Sequence, residues 1–419
     1  MIGLVPLRPQ PQAWLWRSVL SPFAERYCEY LIERGYAVRT IHHYVRCVAH
    51  FAYWLTRRRT AADSIDDRLA CCFVNDHLPK CTCPDPTPRS RADMSAALRH
   101  LLVVMGRPGT PRYLSTVPDV LRQEVCRFTE YLEEVCGLAE CTRYQRARIA
   151  RDFLLQYFRG RQIDVAAITI RDIHRFVTRY PGGCKAGAAG VRGSALRSYL
   201  RFRATIYGDR VDELIAAVPG VAGWRLAPLP ETLSDPEISQ LLDSFDRNTP
   251  ASLRDYAMVR CLVDLGLQAG EVVQIQLDDI NWREGTLQIR RSKSRRTQVI
   301  PLPDPTGRAI ADYIRLARKA TTTSRAVFVR HSAPTDLPLG TGRVHQAVQA
   351  AYVRCGWRDR SGTHLLRHSV ARRLLRSGLS LKVVADVLRH KSIDTTAIYT
   401  KIDLRSLEAV TLPWPGRRS

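Results

Sequence analysis

Lysine is scarce in this chain of 419 residues: only Lys80, Lys185, Lys293, Lys319, Lys382, Lys391 and Lys401 occur among its 64 basic residues, and the rest are arginines. A lysine inside a motif therefore carries more information here than it would in an ordinary basic protein. Long apolar runs are also missing. No stretch approaches the ~20 residues needed to cross a bilayer, and residues 1–20 are broken by Pro6, Pro9 and Pro11 without a cleavable signal pattern. These absences argue against a membrane or secreted protein, and the chain is expected to be soluble and intracellular. Acidic residues are in deficit, 40 against 64 basic, which leaves a net charge of +24. That surplus calls for a polyanionic partner. A hydrophobic fraction of 45% is ample for the packed cores of two or three domains, so a simple basic tail is excluded.

Twelve cysteines would mark a disulfide scaffold only in a much shorter secreted chain. Most lie singly in apolar helical patterns, as Cys28, Cys126 and Cys261 do, and read as reduced core thiols. Cys71, Cys72, His77, Cys81 and Cys83 form a local group. Of these, Cys72, His77, Cys81 and Cys83 have the donor types of a tetrahedral zinc site, but their spacing is not that of a standard finger. The expectation is reduced thiols and no metal.

Sliding the chain against itself by 102 residues aligns Ala37 with Ala139, Thr40 with Thr142 and Phe51 with Phe153, and Glu29-Tyr30-Leu31 recurs as Glu130-Tyr131-Leu132 with a one-residue slip. In the second copy Leu121, Val125, Phe128, Leu132 and Val135 mark one face of an amphipathic helix. Each copy is expected to be a helical hairpin. A helix with Ile173, Phe176 and Val177 follows, then a glycine-rich loop over 182–193, a basic helix with Arg197, Arg201 and Arg203, and a linker over 219–230. Ser234 with Glu237 forms a capping box that opens a new domain. There Thr286–Arg290 and Thr297–Leu302 alternate as the strands of a hairpin, and helices are expected from about Pro305, from about Val344, over Thr363–Ser377 up to Gly378, and from a Ser380 cap to Leu388.

Four stretches of this last domain carry residues able to handle a phosphodiester. His364 and Arg367 share one helix face near its N-terminus, where backbone donors favour an anion. His390 follows a helix end, Tyr399 lies nine residues later, and Lys293 sits at the hairpin tip. Each alone would read as packing or a solvated face. In this order and spacing they resemble the tyrosine recombinases, or phage integrase family, in detail over about residues 233–405. The preceding helical module resembles that family's core-binding domain.

The resemblance implies a mainly α fold with a small β-hairpin in the catalytic domain, closing as a multi-domain DNA clamp. It implies an N-terminal helical, arm-type domain over 1–110 with the Cys/His group, a core-binding domain over 111–225 and a catalytic domain over 226–419. Tyr399 would attack the scissile phosphate, leaving a 3′-phosphotyrosine and a free 5′-hydroxyl, with no cofactor because the bond is stored covalently. His364 would take the tyrosine proton, Arg367 and His390 would bind the non-bridging oxygens, and Lys293 would protonate the leaving oxygen. Partners would be double-stranded recombination sites, further copies in a tetramer and other recombinase subunits, in a prokaryotic cytoplasm at the nucleoid.

One departure matters. The family has an arginine in a Gly-Leu-Arg-x-x-Glu context, and here Gly266-Leu267-Gln268-Ala269-Gly270-Glu271 puts glutamine at that position. Gln268 lacks the charge and the fork of arginine. A slow recombinase, rescue by a nearby arginine such as Arg291, and an inactive DNA-binding subunit all remain open at this point, as does a type IB topoisomerase on the wider chemistry. Arg389 and Lys391, flanking His390, are expected to add charge near the phosphate. Further phosphate contacts are expected from Arg39, His43, Arg46, Arg143, Arg146, Arg197, Arg201, Arg291 and Arg295.

Overall fold

The computed structural model describes residues 9–85, 87–107, 117–159, 161–178, 186–220, 231–290, 297–318, 324–335 and 337–389. The chain divides into two compact units, one of residues 1–32 and 38–224, the other of 33–37 and 225–419.

Among the described residues up to 217 the secondary structure is helical: α1 (Pro9–Trp16), α2 (Ala24–Glu33), α3 (Val38–Arg57), α4 (Asp67–Cys72), α5 (Arg91–Val104), α6 (Asp119–Glu134), α7 (Glu140–Phe158), α8 (Ile170–Thr178), α9 (Ala186–Tyr207) and α10 (Asp212–Ala217). Of the two expected hairpins, α6–α7 packs as one, whereas α3 packs mainly on α1 and α5. The turns after α2 and α6 contain Gly35 (φ +71°) and Gly137 (φ +58°), which share the 102-residue offset and a left-handed conformation that an L side chain resists. Phe51 and Phe153 are both fully buried. Leu121, Val125, Phe128 and Leu132 are buried as the stripe requires, whereas Val135 is 64% exposed because α6 stops one residue earlier.

The glycine-rich segment corrects one expectation. From Ala186 onward it is the first part of α9 and not a loop. Ala186, Ala188 and Ala189 have the strongest helix propensity and outweigh the intervening glycines. Gly193 packs closely there: a Cβ at that position would stand 3.2 Å from Val218 Cγ1, which would have to shift. On the same helix Arg203 is buried, pairing with Glu124 at 2.9 Å and Asp209 at 2.6 Å. Glu124 also accepts hydrogen bonds from the Tyr199 and Tyr207 hydroxyls at 2.8 and 2.9 Å. A buried carboxylate persists only with such a set of donors. Burial, with Glu124 beside it, holds the Tyr199 hydroxyl well above its usual pKa.

The second unit contains α11 (Asp235–Asp243), α12 (Pro250–Leu265), α13 (Ala269–Gln274), α14 (Asp304–Asp312), α15 (Thr341–Arg354), α16 (His364–Arg376) and α17 (Leu381–Val387). Its antiparallel sheet has the order β1-β2-β3, with β1 (Ile280–Asn281), β2 (Thr286–Arg290) and β3 (Thr297–Pro301). The fold is thus mainly α with a small sheet, as expected, plus the short strand β1. The capping box at Ser234 and Glu237 is formed, and α17 has its expected cap in Ser380, whose Oγ accepts from the Val383 N–H. The central helix α12 buries Met258, Cys261 and Leu262 completely, and α14 and α15 pack on it through Ile310, Val348 and Tyr352. Among the described residues no helix is long and apolar enough to cross a membrane.

Candidate active site

Three chain segments of the second unit meet at one corner. Helix α12 ends at Gly266 in the left-handed conformation (φ +59°), and a Cβ there would lie 2.7 Å from Leu388 Cδ2, so glycine is required both by the backbone and by the close approach. The chain then turns through buried Leu267 to Gln268, the N-cap residue of α13, whose N–H donates to Glu271 at 2.8 Å. Arg367 comes from α16 and is buried. Its guanidinium donates to the Gly266 carbonyl and to the Leu388 carbonyl, which lie at the ends of α12 and α17. Cations suit these positions because helix ends present unpaired carbonyls and partial negative charge.

The third segment revises the reading of Arg389. Its side chain is 1% exposed and forms a fork with Glu271 at 3.2 and 3.1 Å, with further bonds to Val387 O at 2.8 Å and Gly266 O at 3.3 Å. Arg389 adopts φ +59°, a left-handed backbone that normally favours glycine. Its charge is therefore spent on the Glu271 carboxylate and is not displayed toward a phosphate. Sequence reasoning missed this pair because 118 residues separate its members. The only available signal was a bulky residue at a position where glycine is usual.

His364 is the first residue of α16 and its ring centroid lies 6.2 Å from that of His368. Desolvation, and then the charges of Arg367 and His345, push the His364 pKa below its usual value. Burial, with His364 and Arg367 nearby, takes His368 down to about 4. A neutral imidazole at position 364 can accept a proton at neutral pH.

The structure thus brings together Gln268, His364, Arg367 and the chain leading to His390. Lys293, Arg291 and Arg295 belong to the segment joining β2 to β3, where Arg290 pairs with Thr297, and they lie outside the described residues, as do His390, Lys391 and Tyr399. At the root of that hairpin Arg290 Nε donates to buried Asp279 at 2.7 Å, in the Leu277-Asp278-Asp279-Ile280 stretch.

The expected DNA-contacting residues divide by their neighbours. Arg143 pairs with Glu133, His43 lies 3.1 Å from Asp93, Arg146 donates to Ser198 Oγ at 3.0 Å, and Arg197 donates to Val218 O at 2.7 Å. Arg39 and Arg201 are exposed, and Arg46 is half-buried. In the cysteine group Cys72 is replaced. Its thiol hydrogen-bonds Asp76, and His50 of α3 joins His77, Cys81 and Cys83 in its stead.

Residues 231–405 match the phage integrase family. A protein of Sinorhizobium fredii that carries the name integrase/recombinase y4rA is 34% identical over 401 residues, covering 95% of this chain and 94% of its own length. Tyrosine recombinase XerC of Vibrio cholerae is 28% identical over 302 residues, 70% of this chain and 93% of its own. Among solved structures, XerH site-specific recombinase bound to a palindromic difH substrate matches at a TM-score of 0.52 and 18% identity, over 82% of this chain and 95% of that one. A lambda integrase dimer (residues 75–356) bound to a COC′ core site matches at 0.51 and 18%, over 71% and 98%. These two likenesses concern the fold.

Proposed function

Because the chain belongs to the phage integrase family, the tyrosine recombinases, which cut and rejoin DNA, we propose that it recombines paired double-stranded sites of a mobile element through a 3′-phosphotyrosine at Tyr399. The observation that carries this reading is the corner where Arg367 bridges the ends of α12 and α17 beside His364, with the chain running on directly to His390. In this reading Arg367 and His390 stabilise the charge that grows on the non-bridging oxygens, and His364 accepts the Tyr399 proton. Lys293 protonates the departing 5′-oxygen. The bond energy of the phosphodiester is kept in the tyrosyl ester, so strand joining reverses the first step.

The same reading assigns residues 1–110, 111–225 and 226–419 to an arm-type, a core-binding and a catalytic module, and four copies to the working assembly on DNA. Exposed Arg39 and Arg201 fit phosphate contacts better than Arg143 and Arg197, which are already bonded within the protein.

A second reading, a weakly active subunit that works beside a stronger partner, rests on Gln268. The exposed glutamine provides no fixed charge, and the nearby guanidinium of Arg389 is committed to Glu271. One experiment addresses both. DNA flanking the gene, nicked beside each candidate cleavage point, traps a covalent adduct when the short cut product diffuses away. An adduct mapping by mass spectrometry to Tyr399 and lost in Tyr399→Phe is expected. Adducts from Gln268→Arg alone would favour the subunit reading, and none from either protein would end the catalytic one.

A further inference from the structure

The first unit contains four donors that no part of the recombination chemistry uses. His50, on α3, His77, at the end of a π-helical turn over Phe73–His77, and Cys81 and Cys83, on the chain that follows, have ligand atoms all within 4.8 Å of one another. Each sulfur faces an imidazole: Cys81 Sγ is 3.4 Å from His50 Nε2, and Cys83 Sγ is 3.4 Å from His77 Nε2. A tetrahedral zinc ion with Zn–S of ~2.3 Å and Zn–N of ~2.0 to 2.1 Å sets its S···N edges at about 3.6 Å. The observed pairs are close to that edge.

Two further features separate this group from a chance meeting of thiols. First, His50 Nδ1 lies 3.1 Å from the Pro88 carbonyl. A carbonyl only accepts, so Nδ1 carries the proton and Nε2 turns its lone pair toward Cys81. An outer carbonyl that fixes the tautomer of a ligating histidine is the usual support of a metal site. Second, the donors are walled by aromatic rings. Phe73 stacks on His77 at 5.1 Å and meets His50 edge-on at 5.1 Å, and Trp54 is 5.8 Å from His77. His50 and Cys83 are buried.

We propose that His50, His77, Cys81 and Cys83 bind one structural Zn²⁺ in Cys₂His₂ geometry. Two neutral imidazoles and two thiols supply the ligands, and the two thiol protons leave to solvent as the ion binds. Four protein donors leave no position for water or substrate, which makes the site a closed staple. It ties the middle of α3 to the connection between α4 and α5, a stretch with short helical turns and Pro79, Pro84, Pro86 and Pro88. Sequence spacing alone hides the set because His50 lies on a separate helix, 27 residues before His77, while the nearer Cys72 is turned toward Asp76.

The full-length chain, dialysed against metal-free buffer, is expected to retain about one zinc per chain, as structural Cys₂His₂ sites do. Loading the stripped chain with Co²⁺ is expected to give the intense visible bands of a tetrahedral thiolate site. Cys81→Ser combined with Cys83→Ser is expected to abolish both signals, while Cys72→Ser keeps both. Cys81 and Cys83 should react with iodoacetamide only after chelation. A folded wild-type chain, judged by circular dichroism, that holds less than about 0.2 zinc per chain and shows no cobalt bands overturns the proposal. So does a Cys72→Ser chain that loses the metal as completely as the double variant, or a purified chain whose Cys81 and Cys83 are joined as a disulfide without metal.

Discussion

Replacing Arg389 tests the corner most directly, because two substitutions there remove the same bonds but differ in backbone strain. Arg389→Ala deletes the fork to Glu271 and the bonds to Val387 O and Gly266 O, leaving the Glu271 carboxylate, 14% exposed, with the Gln268 N–H as its remaining bond among those described above. Breaking a buried pair from one side costs ~3 to 5 kcal/mol, and the retained bond and partial exposure place this case near ~3. Arg389→Gly loses the same bonds but relieves the φ of +59°, which returns ~1 kcal/mol. In a thermal scan of the full chain the transition of the second unit should fall by about 6 to 12 °C for alanine, and by about 2 to 4 °C less for glycine. Adding Glu271→Gln to Arg389→Ala should recover part of the loss, since no unpaired carboxylate then remains. An alanine variant within about 2 °C of wild type, or a glycine variant below alanine, would refute the reasoning.

Further outcomes concern the chemistry and the DNA. Gln268→Arg is expected to raise the rate of covalent adduct formation by ~10 to 10², below the ~10² to 10³ of an isolated transition-state donor because Arg389 already occupies the Glu271 carboxylate; an unchanged single-turnover rate contradicts this. His364 must be neutral to accept a proton, and its pKa lies below 6.5, so adduct formation should be level at neutral pH and fall only as the pH drops below that value; an acid limb centred above pH 7 would exclude it as the base. The depressed His368 value works on stability in the same direction. Its neutral form is favoured by folding, so stability is full above the unfolded value of 6.5 and is lost as the pH falls toward about 4, which a series of melts between those limits measures. Arg201→Ala should lower the slope of log binding constant against log salt by ~1 with little change in melting, whereas Arg203→Ala should cost ~3 kcal/mol of stability by leaving buried Glu124 with two hydroxyl donors but no cation; equal behaviour of the two variants would contradict the division between exposed and internal arginines.

What could be read from the chain was mainly local. The Ser234–Glu237 box, the Ser380 cap and the alternation of Thr286–Arg290 depend on neighbours a few residues apart, and each appears in the fold where expected. The repeat was legible because Ala37, Thr40 and buried Phe51 recur at one offset, but that pattern did not show that α3 packs mainly on α1 and α5. Two-residue β1 is too short to show alternation. The start of α9 was concealed because glycine signals a break more strongly than neighbouring alanines signal a helix. For the site, the residue types and their order pointed to His364 and Arg367, and spacing grouped His77 with Cys81 and Cys83, but Glu271, the partner of Arg389, and His50, the partner of Cys81, lie on distant segments. Such pairings are set by tertiary packing and have no local pattern.

The position of Arg367 gives the corner a mechanical meaning. One guanidinium holds the ends of two helices, and the second of these leads into the segment with His390 and Tyr399. In the function proposed above, a phosphate that draws this side chain toward itself competes with both carbonyls, so substrate capture and the hold on the end of α17 become a single adjustable joint. Arg367 substitutions should therefore shift proteolytic susceptibility at the end of α17 as well as the cleavage rate, two readouts that independent binding and anchoring residues would separate.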